Sequence, residues 1–437
     1  MKKWLAGLII SLTLSIGVAW AEVGQMTIIY SGNTDGELEP CGCSEEGNLG
    51  GILRRATTID NLREENPNLF LVSSGGLLAS VSPQDRLTGE YILKGLAQVG
   101  YDAFGLQWQD LAYGEAFIKQ EGINWVTTNR VGDELAKEKL IQHGDQTLAF
   151  YSWLNPDKDP AIAMNVDLNG SDATLDASAL SELLKQSQQR GALTMLATSL
   201  TLGEAQATMP LAFVDILLIS SAYEVYGEPQ MVGNTLVIQP GSRGMRLGHL
   251  EIKRGADGRI TSYEHEVIKM PKTVADAERL LAWYSEYNAK VKEHYLERVA
   301  MRKAAESGES PYAGEEACAS CHADEHDIWW DTSHSGAYET LEEVNKAFDP
   351  NCIACHTVGY EKTGGFIDMD ATSHLLGVQC ENCHGAAREH VESQGSKPVA
   401  NQHWEPERMC AQCHVQKHSP SFKFELYWPR IEHGFAK

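Results

Sequence analysis

The feature that most constrains this 437-residue sequence is the pattern Cys-x-x-Cys-His, which occurs four times in its last third. Two thiols one helical turn apart can form thioethers with the two vinyl groups of one porphyrin, and the next histidine can supply the proximal imidazole of the iron. The pattern therefore indicates four covalently attached c-type haems. The motifs are Cys318-Ala-Ser-Cys321-His322, Cys352-Ile-Ala-Cys355-His356, Cys380-Glu-Asn-Cys383-His384 and Cys410-Ala-Gln-Cys413-His414.

A single Cys-x-x-Cys would say less, because half of a zinc knuckle and a redox-active dithiol share it. Four copies, each followed directly by histidine, favour haem, and a Cys/His zinc array is the remaining alternative. The two other cysteines, Cys41 and Cys43, are separated only by Gly42. They are either incidental thiols in a turn or a redox or soft-metal pair, since a disulfide between them would be strained and easily reduced.

The N-terminus has the pattern of a Sec signal peptide over residues 1–21. Lys2 and Lys3 precede an apolar run over residues 5–18, and Ala19-Trp20-Ala21 offers a cleavage site. An uncleaved membrane anchor is the alternative, although the run is short for a bilayer span. We therefore expect a periplasmic or extracellular protein with no membrane span after signal removal. Export agrees with the haem motifs, because c-type cytochromes mature outside the cytoplasm.

The formal net charge of the chain is −24 at pH 7. Such an acidic surface argues against nucleic acid or anionic lipid as a partner. It favours a basic redox partner protein, or simply solubility.

Residues 22–272 alternate short apolar runs with helical periodicity, which predicts an α/β layer architecture. A final pair of runs alternates apolar and polar residues, as half-buried strands do. The expected strands are 26–30, 69–73, 147–153, 193–198, 214–220, 235–239, 247–252 and 260–268, and the expected helices are 51–65 and 85–99.

Two stretches of this segment resemble 5′-nucleotidase-type metallophosphoesterases. Ile28-Ile-Tyr-Ser-Gly-Asn33-Thr-Asp35-Gly36 resembles the family's first strand and metal loop, and Gly50-Gly51-Ile-Leu-Arg54 resembles its Gly-Gly-x-x-Arg helix start. The resemblance covers most of residues 25–270. It implies an α/β metallophosphoesterase-like sandwich.

The positions of the family's metal ligands carry other residues, and a two-metal hydrolase needs bridging carboxylates and imidazoles. We therefore expect a degenerate domain, with an active phosphoesterase as the alternative. The replacements are Asn33-x-Asp35 for Asp-x-His, Gly75-Gly76 for Gly-Asp, Gln107-Trp108-Gln109-Asp110 for Gly-Asn-His-Glu, and Ser220-Ser221-Ala222-Tyr223 for Gly-His-x-His.

A helical connector is expected over residues 273–310, followed by a mostly helical and loop-rich multihaem cytochrome c domain over 311–437. The connector has an apolar stripe at helical spacing. The last domain is too small to bury a large side-chain core, so we expect the apoprotein to be largely unfolded there. The stripe consists of Leu280, Leu281, Tyr284, Tyr287, Val291 and Tyr295.

Residues 318–433 resemble the tetrahaem cytochrome c-554 family. The resemblance is carried by Trp330-Asp-Thr-Ser-His334-Ser-Gly-Ala337, by 352–365 and 377–385, and by the terminal Phe422-x-Phe424 that precedes His433. It implies three distal iron ligands. They are His390 for the haem on His322, His334 for the haem on His384, and His433 for the haem on His414.

The resemblance also implies that the haem on His356 lacks a distal histidine and is open to a small ligand. His374 is the alternative ligand that would close it. Bis-histidine ligation suits electron transfer. The sequence thus predicts an exported tetrahaem electron carrier. Its inactive front domain, the metallophosphoesterase-like residues 22–272, would act as a docking or scaffold module. A haem oxidoreductase acting on nitric oxide, hydroxylamine or nitrite, and an active phosphoesterase fused to a cytochrome, are the alternatives.

Overall fold

The structure is a computed structural model that describes residues 24–41, 48–132, 134–157, 172–220, 226–415, 418–419 and 421–433. The predicted signal peptide lies outside these residues. The described strands are β1 (Gln25–Ser31), β2 (Pro40–Cys41), β3 (Leu49–Gly50), β4 (Phe70–Ser73), β5 (Ala103–Gly105), β6 (Trp125–Val126), β7 (Arg130–Val131), β8 (Lys139–His143), β9 (Gln146–Trp153), β10 (Asp172–Ala173), β11 (Leu193–Thr198), β12 (Ile216–Ile219), β13 (Gln230–Val232), β14 (Thr235–Ile238), β15 (Arg246–Arg254) and β16 (Ile260–Lys269).

The described helices are longer in the first two thirds of the chain than in the last third. They are α1 (Ile52–Glu65), α2 (Asp85–Val99), α3 (Glu115–Ile118), α4 (Ser178–Gln189), α5 (Leu202–Thr208), α6 (Leu281–Ala305), α7 (Glu315–Ala319), α8 (Ala323–Trp330), α9 (Ala337–Glu343), α10 (Pro350–His356), α11 (Met369–Thr372), α12 (Cys380–His384), α13 (Arg388–Glu392), α14 (Pro406–Cys410) and α15 (Phe424–Tyr427).

Two six-stranded sheets form the front region. The first has the order β16-β15-β1-β4-β5-β6, in which β1, β4, β5 and β6 are parallel and β15 and β16 are antiparallel. The second has the order β13-β14-β12-β11-β9-β8, parallel in the middle and antiparallel at both edges. Two-stranded pairs, β2-β3 and β7-β10, lie outside them.

The two sheets pack face to face, because their strands alternate between two buried sides. In β1, Ile28 and Tyr30 belong to the apolar cluster between the sheets, whereas Ile29 belongs to the cluster on the outer side. In β9, Phe150 faces the inter-sheet cluster and Tyr151 the cluster that contains residues of α4. Strands buried on both sides explain the continuous apolar runs of the sequence. The layered α/β sandwich is confirmed.

The connector helix α6 packs against both α2 and the C-terminal region. Trp283 Nε1 donates to the carbonyl of Tyr91 in α2 (3.1 Å), and Tyr295 Oη donates to the carbonyl of Ile367 (3.3 Å). A Cβ placed on Gly95 would lie 2.5 Å from Trp283, so the two helices can approach this closely only at a glycine.

The buried stripe of α6 is shifted by comparison with the predicted one. Leu281 is 44% exposed, whereas Trp283 and Val299 are buried in line with Tyr287, Val291 and Tyr295. One continuous apolar cluster includes residues of β1, α2, α6 and the C-terminal region. The domain boundaries at residues 272 and 310 therefore stay predictions.

The C-terminal region consists of short helices joined by turns. Its buried side chains, such as Tyr338 and Phe366, lie before residue 388, and none of the described residues after Ala387 is buried. In the described part of the chain, no helix is both long and apolar enough to cross a bilayer.

Candidate haem-binding site

Each Cys-x-x-Cys-His motif occupies one turn of helix or the end of one. Helices α10 and α12 contain the second and third motifs completely. In the other two, the amide of His322 donates to the carbonyl of Cys318 (3.0 Å) and that of His414 to the carbonyl of Cys410 (2.8 Å). These bonds close one helical turn between the first cysteine and the histidine. The compact geometry required for porphyrin attachment is therefore present at all four motifs.

The motifs are neighbours in an order that differs from their sequence order. The eight thiols are free. Hydrogen bonds between thiols place the first motif beside the third and the fourth beside the second, and an electrostatic interaction between thiols places the third near the fourth. The thiols that interact are Cys318 with Cys380, Cys383 with Cys410, and Cys355 with Cys413.

Three of the motif histidines face a second histidine at nearly the same separation. A metal–nitrogen bond of about 2 Å plus about 1 Å from nitrogen to ring centre, taken on both sides of an iron, places two imidazole centres about 6 Å apart. The observed ring-centre separations are 6.3 Å for His322 and His390, 6.1 Å for His414 and His334, and 5.9 Å for His384 and His433. Each of the three pairs could therefore hold one iron between its two imidazole rings.

The hydrogen bonds of three of the histidine rings use Nδ1 and leave Nε2 free to bind a metal. The Nδ1 of His356 is bonded to the carbonyl of Ala337, that of His390 to the carbonyl of Lys397 (2.7 Å), and that of His433 to a backbone carbonyl (2.8 Å). An Nδ1–H that donates to a carbonyl leaves the Nε2 lone pair available for a metal.

Burial lowers the pKa of several of these imidazoles. Removal from water, reinforced by the neighbouring His414 and His356, lowers the pKa of His334. The same desolvation lowers the pKa of His384, with His433 adding to the effect. A metal binds the neutral ring, so a lowered pKa favours ligation near neutral pH.

The structure pairs two distal histidines differently from the sequence expectation. His390 faces His322, whereas His334 faces His414 and His433 faces His384; which haem each distal histidine would serve stays a prediction. A chain of aromatic contacts accounts for the second pair. Trp404 packs edge-on against His384 (5.7 Å) and Trp428 packs edge-on against Trp404 (6.1 Å). The part of the C-terminal segment around Trp428 is thereby held beside the third motif, whereas Phe422 earlier in that segment stacks on His414 of the fourth motif (4.3 Å).

The imidazole of His356 differs from the other three. Within the described residues, no second histidine ring packs against it, although His334 lies near enough to interact with it electrostatically. His374, the alternative ligand, is exposed, and a Cβ placed on Gly314 would lie 3.4 Å from its ring. His374 therefore lies beside the backbone that precedes the first motif.

Exposed apolar side chains in the region also fit a porphyrin site. Among the described residues, no group of three or more His, Cys, Asp or Glu side chains is placed to hold a metal ion. Large apolar side chains near the motifs are exposed, among them Trp330 (59%) and Leu426 (61%). Exposed apolar surface of this kind is what a bound porphyrin would cover.

The predicted metal loops of the front region meet in a network of neutral amides. Asn33 Nδ2 donates to Asp35 (3.2 Å), Gln107 Nε2 donates to Asn33 Oδ1 (2.7 Å) and to Ser220 Oγ (2.9 Å), and Gln109 Nε2 donates to Asp35 (3.1 Å). Amide NH₂ groups are donors and cannot ligate a cation. The amide groups of Asn33 and Gln109 instead donate hydrogen bonds to the carboxylate of Asp35.

A second carboxylate, Asp110, is used to shape the loop. It is fully buried and accepts hydrogen bonds from the backbone amides of Gly76 (2.9 Å), Leu77 (2.6 Å) and Gln107 (2.9 Å). Burial raises the pKa of Asp110 to about 6, although these bonds lower it. A Cβ on Gly76 would lie 2.4 Å from Asn33, so a larger ligand residue has no room there.

Parts of two predicted sites lie outside the described residues. These are Ser221, Ala222 and Tyr223 of the last metal loop, and Gly42 and Cys43 together with the side chain of Cys41. The proposed redox or soft-metal role of the thiol pair stays a prediction.

Comparison with known proteins agrees with this division of the chain. The family model of cytochrome c554 and c-prime matches residues 317–385. The C-terminal region is similar to cytochrome c554. Cytochrome c-554 of Nitrosomonas europaea is 34% identical over 97 residues, which are 19% of this chain and 41% of that protein. The family model includes the first three motifs of the cytochrome c554-like region and ends before Cys410.

The front region is similar in fold to metallophosphoesterases. The 5′-nucleotidase precursor of Thermus thermophilus matches with a TM-score of 0.53 and 16% identity over 61% of this chain and 59% of its own. The sulfate thiohydrolase SoxB of the same organism, in complex with glycerol, matches with 0.53 and 15% over 62% and 61%. Such identities establish the fold alone. The chain spans less than two thirds of each relative.

Sequence reasoning missed Glu381, which lies between the two cysteines of the third motif of the cytochrome c554-like region. Its buried carboxylate accepts hydrogen bonds from the amides of Ala313 (3.0 Å), Gly314 (2.9 Å) and Ala387 (2.8 Å). It joins the third motif to the segment before the first. The sequence did contain a signal for this role, because Glu381 is a charged residue between the two cysteines of an attachment motif.

Proposed function

We propose that this protein is an exported tetrahaem c-type cytochrome that transfers electrons, with a catalytically inactive metallophosphoesterase-like region as docking or scaffold module. The observation that carries the proposal is the set of three imidazole pairs about 6 Å apart. Four haems attached at the motif cysteines would supply reversible one-electron chemistry. A six-coordinate iron changes oxidation state with little rearrangement, so bis-histidine pairs suit a carrier.

The order of the motifs supports a linear relay. The thiol contacts connect the motifs of His322, His384, His414 and His356 in that order. The motif of His322 and that of His356 are then the two ends. The end at Cys321 and His322 is exposed, which supports electron exchange with a partner there. The net charge of −24 favours a basic redox partner protein.

The amide network of the front region supports loss of hydrolase activity. Asn33, Gln107 and Gln109 place NH₂ donors where a two-metal enzyme needs anionic or imidazole ligands. Metal-dependent phosphoester hydrolysis that Asp35→Ala abolished would contradict this part of the proposal.

A second candidate function follows from the lone imidazole of His356. If its iron has no second protein ligand, a small nitrogen compound such as nitric oxide, hydroxylamine or nitrite can bind there, and the protein is an oxidoreductase. The position of His374 against Gly314 favours this candidate over closure of the site.

Spectroscopy and mass spectrometry of the natively matured protein test both candidates. The carrier predicts a mass that exceeds the polypeptide by four haems, and the double variant Cys410→Ala/Cys413→Ala should lose one. A bare polypeptide mass, or bound zinc, would contradict the proposal. A high-spin ferric electron paramagnetic resonance (EPR) signal that His356→Ala removes would support the oxidoreductase, whereas entirely low-spin spectra would support the pure carrier.

A further inference from the structure

A single buried lysine joins the front region to the second attachment motif. The side chain of Lys346 is 11% exposed, and its Nζ lies 2.5 Å from Glu39 Oε1 and 3.8 Å from Asp349 Oδ2. It also donates to Asn288 Oδ1 of α6 (2.8 Å). One ammonium therefore contacts three segments that are far apart in sequence.

Aromatic rings surround this ammonium. The ring centres of Tyr284, Tyr287 and Phe348 lie 5.6, 5.8 and 6.0 Å from Nζ. The hydroxyl of Tyr284 also donates to Glu39. The rings shield the ion pair from water and attract the ammonium through cation–π contacts, so they hold the Lys346 side chain in position.

The second carboxylate in contact with Lys346 begins the helix that carries the second motif. Asp349 is the N-cap of α10, and its side chain accepts from the amide of Asn351 (3.1 Å). The carbonyl of Asp349 accepts from the amides of Cys352 (3.0 Å) and Ile353 (2.9 Å). The first turn of the helix that contains Cys352, Cys355 and His356 is thus held through the residue that Lys346 contacts.

Resting on the proposed function, we propose that Lys346 is a positioning residue through which the front region controls the haem on His356. Its bridge between Glu39 and Asp349 fixes α10, and the charges beside α10 set the reduction potential of that haem. A positive charge near an iron favours the ferrous state and a negative charge favours the ferric state. The front region would then be a regulator of one haem and not only a scaffold.

A second lysine pairs with the N-cap of another helix and serves as a control. Lys303 of α6 forms an ion pair (2.5 Å) with Asp368, and Asp368 is the N-cap of α11, accepting from the amide of Ala371 (2.8 Å). Helix α11 carries no attachment motif. Lys303→Met therefore removes another lysine–N-cap ion pair, more exposed than that of Lys346, between α6 and the cytochrome c554-like region without touching α10.

The experiment is redox titration of the holoprotein with EPR at each potential. Haem content is measured first, because a protein without four haems contradicts the proposed function and not this inference. We expect Lys346→Met to lower the midpoint potential of the haem on His356 and Glu39→Gln to raise it, with the other three haems unchanged. Lys346→Arg, which keeps the positive charge, should leave the midpoint potential of the haem on His356 at its wild-type value. Lys303→Met should also leave that potential unchanged.

A purely structural role gives a different result. In that case Lys346→Met and Glu39→Gln would lower the melting temperature and shift the potential in the same direction or not at all. Equal shifts at all four haems would also overturn the proposal, as would a shift of the same size in Lys303→Met. The isosteric Glu39→Gln keeps the test valid if Lys346→Met does not accumulate as folded protein.

Discussion

The front region and the cytochrome c554-like region are stabilised by different means. The front region buries side chains in three layers, and strands such as β11 and β12 are buried along their whole length. In the other region, none of the described residues after Ala387 is buried. A polypeptide segment of that size cannot stabilise itself by side-chain packing alone. The difference supports our proposal that covalently attached haems would supply much of the apolar core of the second region.

Preventing haem attachment should produce the largest effect on this comparison. Protein made without the predicted signal peptide over residues 1–21, and expressed in the cytoplasm where haem is not attached, should keep a folded front region and lose structure in residues 388–433. Amide hydrogen exchange measures both parts in one experiment, with the holoprotein as reference. Equal protection of residues 388–433 with and without haem would show that side chains suffice, contrary to our interpretation.

Substitution in the inter-sheet core should have the next largest effect, confined to the front region. Phe150 is fully buried between the sheets, and Phe150→Ala should lower the free energy of unfolding by about 3–5 kcal/mol. Urea titration followed by far-UV circular dichroism measures the loss, and the Soret band reports on the haems separately.

Val131 provides the control, because it is 58% exposed in the same region. Val131→Ala should change the free energy of unfolding by less than about 0.5 kcal/mol. If the Soret band of Phe150→Ala changed at the urea concentration at which its front region unfolds, the two regions would unfold together. The comparison would then have to be replaced by a single cooperative unit.

The front region was predictable because its strands and helices carry local periodic signals. The limits predicted for β11 and α2 coincide with those observed, and each of the other expected strands and helices is present within a few residues. The fold followed from the order of weak motifs, and the loss of metal ligands could be read position by position.

The details of the candidate site depend on contacts between distant residues. The position of His433 follows from Trp404 and Trp428, and no local pattern reports which haem motif such a chain of rings reaches. The ion pair between Glu39 and Lys346 joins residues that belong to different regions. The attachment motifs were identifiable because their chemistry is local, whereas distal pairing is a property of the packed structure.

The exchanged histidine pairs give the smallest effect on stability and the sharpest test of the second region. His334→Ala should convert one haem to a high-spin state, because His334 faces His414 at 6.1 Å and, among the described residues, no other histidine ring packs against His414. The affected haem is identified by combining this change with Cys410→Ala/Cys413→Ala, which removes the fourth haem. The structure predicts that His334→Ala adds no further high-spin EPR signal in that background, since its haem is already absent.

His374→Ala is the matched control and should add no high-spin EPR signal in either background. If His334→Ala still created a high-spin haem without the fourth haem, but not without the third, the pairing expected from sequence would be correct and the packing of the C-terminal segment over His384 would be wrong.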